Sequence, residues 1–174
     1  VQASRNGRRL QADDMTKIQS DTRNGIAEDL VPRLVNMKVD AFTGEAQELL
    51  RGWDYTQPVD SAAAVYFNTV WVTLLDLTFA DEMPESAGLN GGARWFEVVH
   101  HLLDRPKDSW WDDRRTPNVV ETRDEILHRA LVTARLRLTR SLGKDPQRWR
   151  WGRPHSVHLT MRPLDESTWP SPMR

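Results

Sequence analysis

Cysteine is absent from the 174 residues. A disulfide framework, a thiol nucleophile and a thiolate metal site are therefore excluded. A dominant charge is missing too. The formal net charge is -1, from 24 basic and 25 acidic residues, so no global field draws the chain to a nucleic-acid backbone. The opening VQASRNGRRLQADD has no apolar run of the kind a secretory signal carries. The most apolar stretch, residues 62–80, is interrupted by Asn68, Thr69, Thr73 and Asp76. It reads as a buried helix and not a membrane span. The Gly-x-Ser-x-Gly elbow, the Walker loop and Gly-x-Gly-x-x-Gly are also absent, and no internal repeat is visible.

What is present is tryptophan, eight residues of it. Mean hydropathy is -0.64, which is wet, but so many aromatics do not suit a disordered segment. The length fits one domain with a sizeable core.

The periodicity predicts a mostly helical chain. Residues 1–12 are a loose, basic end. From Asp13 the spacing of Met15, Ile18, Ile26 and Leu30 is helical, with Asn24-Gly25 as a break or kink and Pro32 as a new first turn or a second kink. Residues 44–51 read as a short helix capped by Thr43 and ended by Gly52. Asp60 is placed to cap the apolar helix, which should be central. Residues 81–92 are a loop, and Leu-Asn-Gly-Gly-Ala at 89–93 is a flexible turn. Residues 93–103 form another helix, followed by a loop over 104–118. The clearest helix spans 122–142. Thr122-x-x-Glu125 fits a capping box, and Leu127, Leu131, Ala134, Leu138 and Leu142 share one face. Gly143 and Pro146 mark its end. Its arginines, Arg129, Arg135, Arg137 and Arg140, should face solvent or a partner. After Trp149 the alternation of His155, Val157, Leu159 and Met161 predicts a short C-terminal strand, and residues 161–174 an irregular tail.

Candidate chemistry is sparse. His100 and His101 are adjacent on a helix and diverge by about 100°. His155 and His158 fall on opposite faces of a strand. Packing or surface roles suit both pairs better than zinc ligation. Asp104, Asp108, Asp112 and Asp113 gather four carboxylates in one loop region, a composition calcium accepts, but without EF-hand spacing and with Arg114 and Arg115 at hand to neutralise it. In RWRWGRPH (148–155), arginines interleave with Trp149 and Trp151. That is either a single-strand stacking platform or an anchor with tryptophans inward and arginines outward. The neutral net charge favours the anchor.

Several segments together resemble one family. They are DDMTKIQSDTRNGIAEDLVPRLV (13–35), LLRGWDY (49–55), DSAAAVYFNTVW (60–71), SWWDDRRTPNVVETRDEIL (109–127) and SLGKDPQRWRWGRPHSVHL (141–159). Their order resembles the interior of the β subunit of the penicillin acylase (penicillin amidase) family, through Gln-x-Asp, Leu-x-Gly-Trp-Asp and Trp-x-Trp-Gly-x-x-His. The resemblance covers about residues 13–160. It implies the helical part of an α+β four-layer αββα N-terminal nucleophile hydrolase. Such enzymes are secreted or periplasmic and self-cleave into an α/β heterodimer. They act on small-molecule amides, releasing an acyl group from a penicillin, an acylated lipopeptide or a homoserine lactone. A β-subunit amino-terminal serine is the nucleophile and its own α-amine the base. An Asn side chain and a backbone N–H stabilise the oxyanion.

The departures shape the expectation. Residue 1 is Val1, not serine. The family's Ser-Asn start, oxyanion Asn and calcium-binding acids have no counterpart here, and Arg5, Arg8 and Arg9 are not assigned to its supporting arginine. No catalytic, cofactor-binding or metal residue is assigned, no cofactor is expected in this segment, and neither nucleic acid nor membrane is expected as a partner. The expectation is an acylase fragment, inactive alone, in which Trp53, Trp71, Trp149 and Trp151 are structural and Asp21 and Asp54 cap or pair. The alternative is a stand-alone helical interaction module that docks through the arginine face of 122–142 and does no catalysis.

Overall fold

The computed structural model describes residues 11–84, 89 and 91–154. Two long helices form its spine, α4 (Ala62–Phe79) and α6 (Arg123–Leu142). Thirteen of the eighteen residues of α4 are buried. By length and composition α4 could cross a membrane, but most of it is enclosed by protein. It packs along α6, which contributes Ile126, Leu127, Ala130, Leu131, Ala134 and Leu138 to the same core. Each such large apolar side chain stabilises by roughly 1.5–3 kcal/mol on burial. One polar bond crosses the spine: the Tyr66 hydroxyl donates to Leu131 O at 3.1 Å. Burial there pushes the Tyr66 phenol well above its usual range.

Shorter helices surround the spine: α1 (Ala12–Gln19), α2 (Gly25–Leu34), α3 (Ala41–Gln47) and α5 (Ala93–Leu103). α3 packs on α6, and α2 packs on α5 and α6. Single 3-10 turns occupy Glu48–Leu50, Ser109–Trp111 and Pro146–Arg148. The described residues contain helices and turns and no strand. The strand expected over 155–161 lies outside them, as do the two chain ends.

The helix at 93–103 and the long helix after Thr122 stand where the pattern puts them. The Glu125 carboxylate accepts from the Thr122 N–H and hydroxyl at 2.8 and 2.7 Å. Two capping assignments need correction. The third helix starts at Ala41, not 44, because Asp40 Oδ1 accepts from Thr43 N at 3.0 Å; Thr43 is the capped residue and not the cap. Ser61, not Asp60, caps α4 through Ala64 N. Both errors are shifts of one to three residues among capping residue types that stand close together. Pro32 starts no helix. It sits inside α2, which runs on to Leu34, so the helix there forgoes the N–H that Glu28 O would otherwise accept from.

The largest correction concerns Arg135. It does not face solvent: it is 1% exposed, in the core stripe of α6. Its Nε donates to Phe42 O (2.9 Å), and its Nη2 to Glu45 Oε2 (3.0 Å) and Lys144 O (2.9 Å). Its guanidinium lies 4.0 Å from the Phe42 ring centroid and 5.1 Å from that of Trp149. Carbonyls and ring faces replace its hydration.

Candidate functional site

Each acidic residue flagged in the sequence has its own local task. Asp104 pairs with Arg33 and Asp108 with Arg105. Asp112 accepts from the Glu121 N–H at 3.4 Å. Asp113, 2% exposed, receives Arg115 Nε at 2.7 Å and Arg129 Nη2 at 3.0 Å. Arg129 Nη1 reaches Glu121 Oε1 at 2.8 Å, and Thr116 donates to the same oxygen at 2.6 Å. Burial alone would raise the Asp113 pKa, but the guanidiniums and the Arg115 N–H outweigh it and hold the carboxyl below its usual range. Asp113 and Glu121 therefore latch the 104–121 loop to α6 through Arg129. Among the described residues no group of three or more possible metal ligands is present.

Among the described residues the histidines belong to no metal-ligand group. His100 Nδ1 meets Asp29 Oδ2 at 2.8 Å, joining α5 to α2. That hydrogen bond and the Asp29 charge raise the His100 pKa. His155 and His158 lie outside the described residues. Ser141 and Lys144 have a Ser-x-x-Lys spacing. α6 ends between them, and Ser141 Oγ donates to Arg137 O at 3.1 Å.

The arginine face expected on α6 is largely engaged within the chain. Arg129 and Arg135 are bound as described, and Arg137 Nη1 donates to Thr73 Oγ1 at 3.2 Å. Trp149 offers no stacking face. It is fully buried, its Nε1 donates to Gly143 O at 2.9 Å, and its ring leans on Tyr66 at 6.1 Å.

The three short motifs that carry the resemblance converge on one place. Asp21, in Gln-x-Asp, caps the following turn through Arg23 N at 2.9 Å. Arg23 Nη1 then reaches Asp54 O at 3.3 Å, and Asn24 N donates to Tyr55 O at 2.9 Å. Asp54 itself closes a turn, its Oδ1 accepting from the Thr56 N–H and hydroxyl at 3.0 and 2.7 Å; those two bonds lower its pKa. Trp53 donates to Thr56 O at 2.9 Å and packs edge-on to Tyr55. The third motif arrives through Gly152, whose N–H donates to Val59 O at 2.7 Å.

Between these segments lies a cleft of about 430 Å³, lined by Thr22, Asn24, Gln57, Asn68, Phe96 and Trp151. Its polar groups are side-chain amides and one hydroxyl; its apolar walls are aromatic. Asn68 Nδ2 is held by Gln57 Oε1 and Ala64 O, both at 2.8 Å. Asn24 is 6% exposed and its Oδ1 has no partner. Among the described residues its lining carries no ionisable side chain, and those amides and the hydroxyl suit a neutral hydrogen-bonding group. Sequence reading passed over Asn24, Gln57 and Asn68 because amides scattered over two turns and a helix form no local motif.

Comparison with known proteins gives this geometry a context. The sequence model of the family described as penicillin amidase matches residues 1–172. The acyl-homoserine lactone acylase QuiP of Pseudomonas syringae pv. tomato is 30% identical over 123 residues, covering 67% of this chain and 15% of its own. The acylase of the same name from Pseudomonas putida is 33% identical over 122 residues, 66% of this chain and 14% of its own. The chain thus spans about a seventh of the length of these relatives.

Proposed function

The chain belongs to the penicillin amidase family, and on that premise we propose that it is helical structure of an amidohydrolase that releases an acyl group from a linear amide. The observation that carries this reading is the family match over residues 1–172. The relatives' printed name makes an N-acyl homoserine lactone the first amide to try, ahead of a penicillin or an acylated lipopeptide. In this reading the nucleophile is a serine at the amino terminus of a β subunit, its α-amine is the base, and the enzyme works in the periplasm or outside the cell. The helices described above brace that centre in a four-layer αββα fold. The cleft at Asn24, Gln57 and Asn68 supports a holding role, since its described lining offers amide and aromatic groups.

The test is amide hydrolysis by the purified 174-residue chain, alone and co-assembled with acylase segments that supply the amino-terminal serine. Substrates are phenylacetyl and long-chain acyl chromogenic amides and a long-chain N-acyl homoserine lactone. Turnover is expected only in the assembly. Turnover by the chain alone, surviving repurification, overturns the bracing role; an inert, correctly assembled heterodimer overturns the amidohydrolase reading.

A further inference from the structure

RWRWGR (148–153) has a second face. Where α6 ends, the chain forms an open pocket of about 480 Å³ lined by Leu142, Gly143, Lys144, Asp145, Arg148 and Arg153. Its backbone wall is fixed from inside. Trp149 Nε1 holds Gly143 O, and Arg135 Nη2 holds Lys144 O, both at 2.9 Å. Asp145 Oδ1 accepts from Gln147 N at 3.0 Å and closes the next turn. Arg150 is turned away from this task, its Nη1 donating to Gln147 O and Trp149 O at 2.8 and 2.7 Å.

The charges on this wall are unbalanced. Lys144, Arg148 and Arg153 stand against Asp145, and none of the three cations makes an ion pair among the described residues. Elsewhere on the chain arginines commonly find a carboxylate, as Arg23, Arg33, Arg51, Arg105 and Arg114 do. Behind the wall stands a fourth cation. Arg135 is 1% exposed, and its Nη1 has no acceptor.

We propose that this pocket binds a small multivalent oxyanion of the phosphate class. Two guanidinium forks and an ammonium offer more donors than the two oxygens of a carboxylate can use, whereas a phosphate presents at least three acceptor oxygens and close to two negative charges. The carbonyl end of α6 opposes an anion, but that partial charge is smaller than the net charge of the lining, and Gly143 O and Lys144 O are already occupied by donors.

Inorganic phosphate is the probe. Titrated into the full chain at constant ionic strength, it should raise the Tm saturably and bind at one site by calorimetry, whereas sodium chloride should not. The double variant Arg148→Gln/Arg153→Gln should lose at least tenfold in affinity and keep its circular dichroism, since both side chains are exposed. Arg51→Gln, outside the pocket, should bind as the parent does. Equal Tm shifts with chloride, or unchanged affinity in the double variant, would overturn the site. A vesicle arm identifies the source. Co-sedimentation with phosphatidic acid vesicles but not with phosphatidylcholine assigns a lipid phosphate, and phosphate binding without co-sedimentation assigns a soluble one.

Discussion

Arg135 and Glu45 share one ion pair but not one fate. Arg135 is 1% exposed and Glu45 is 64% exposed. The carboxylate loses little if its partner disappears, because water replaces it. The carbonyls of Phe42 and Lys144 lose a donor they cannot easily replace. Arg135→Ala should therefore cost about 3 kcal/mol of unfolding free energy, and Glu45→Ala less than about 1 kcal/mol, both read from urea midpoints. If the two cost the same, the surface pair and not the carbonyl contacts holds the guanidinium. Arg135 also marks what the sequence hid. Position 135 is four residues after Leu131 and three before Leu138, so the core stripe of α6 runs through it. Residue type argued for solvent and periodicity for the core, and periodicity won.

At the scale of elements, two glycines should respond to alanine with opposite signs. Gly143 stops α6 at φ +101°, where an L side chain is strained. Gly143→Ala should destabilise by about 2 kcal/mol although nothing crowds its Cβ. Gly44 lies inside α3 with only Val39 Cγ2 near, at 3.9 Å. Gly44→Ala should stabilise by about 0.5–1 kcal/mol, since the helix no longer orders a glycine. Thermal unfolding of both variants decides it, and a shared sign contradicts the argument. Elements were also the scale at which the sequence spoke most clearly. α6 follows from apolar period and its capping box, and α4 from its unbroken apolar run, while the caps that slipped did so within clusters such as Asp60-Ser61. The cleft was not legible. Thr22, Gln57, Asn68 and Trp151 meet only once the 53–59 loop folds back on both the α2 start and Gly152.

Across the whole molecule, stability against pH should have two opposed limbs. The Asp29 bond raises the His100 pKa above the ordinary 6.5. Its contribution is full below that ordinary value and is lost as pH rises through the folded pKa. Asp113 is shifted the other way. Its contribution is present above the ordinary carboxylate range and is lost as acid protonates the latch. An NMR titration should place His100 above 6.5, and Asp29→Asn should return it there. A His100 midpoint indifferent to Asp29→Asn would break the α2–α5 argument. Urea midpoints of the parent should fall on the acid side as Asp113 titrates, a fall that Asp113→Asn should blunt while lowering stability near neutrality.

The hydrogen bond from Gly152 to Val59 joins positions far apart in the chain, and a Cβ at 152 would stand 3.3 Å from the same carbonyl. Mechanically, this bond is a tether. Tension applied beyond Arg153 reaches the segment that leads into α4 as well as the C-terminal end of α6, and the two routes share the load. A small displacement there is felt both at the start of the central helix, beside the amide-lined cleft, and at the end of α6.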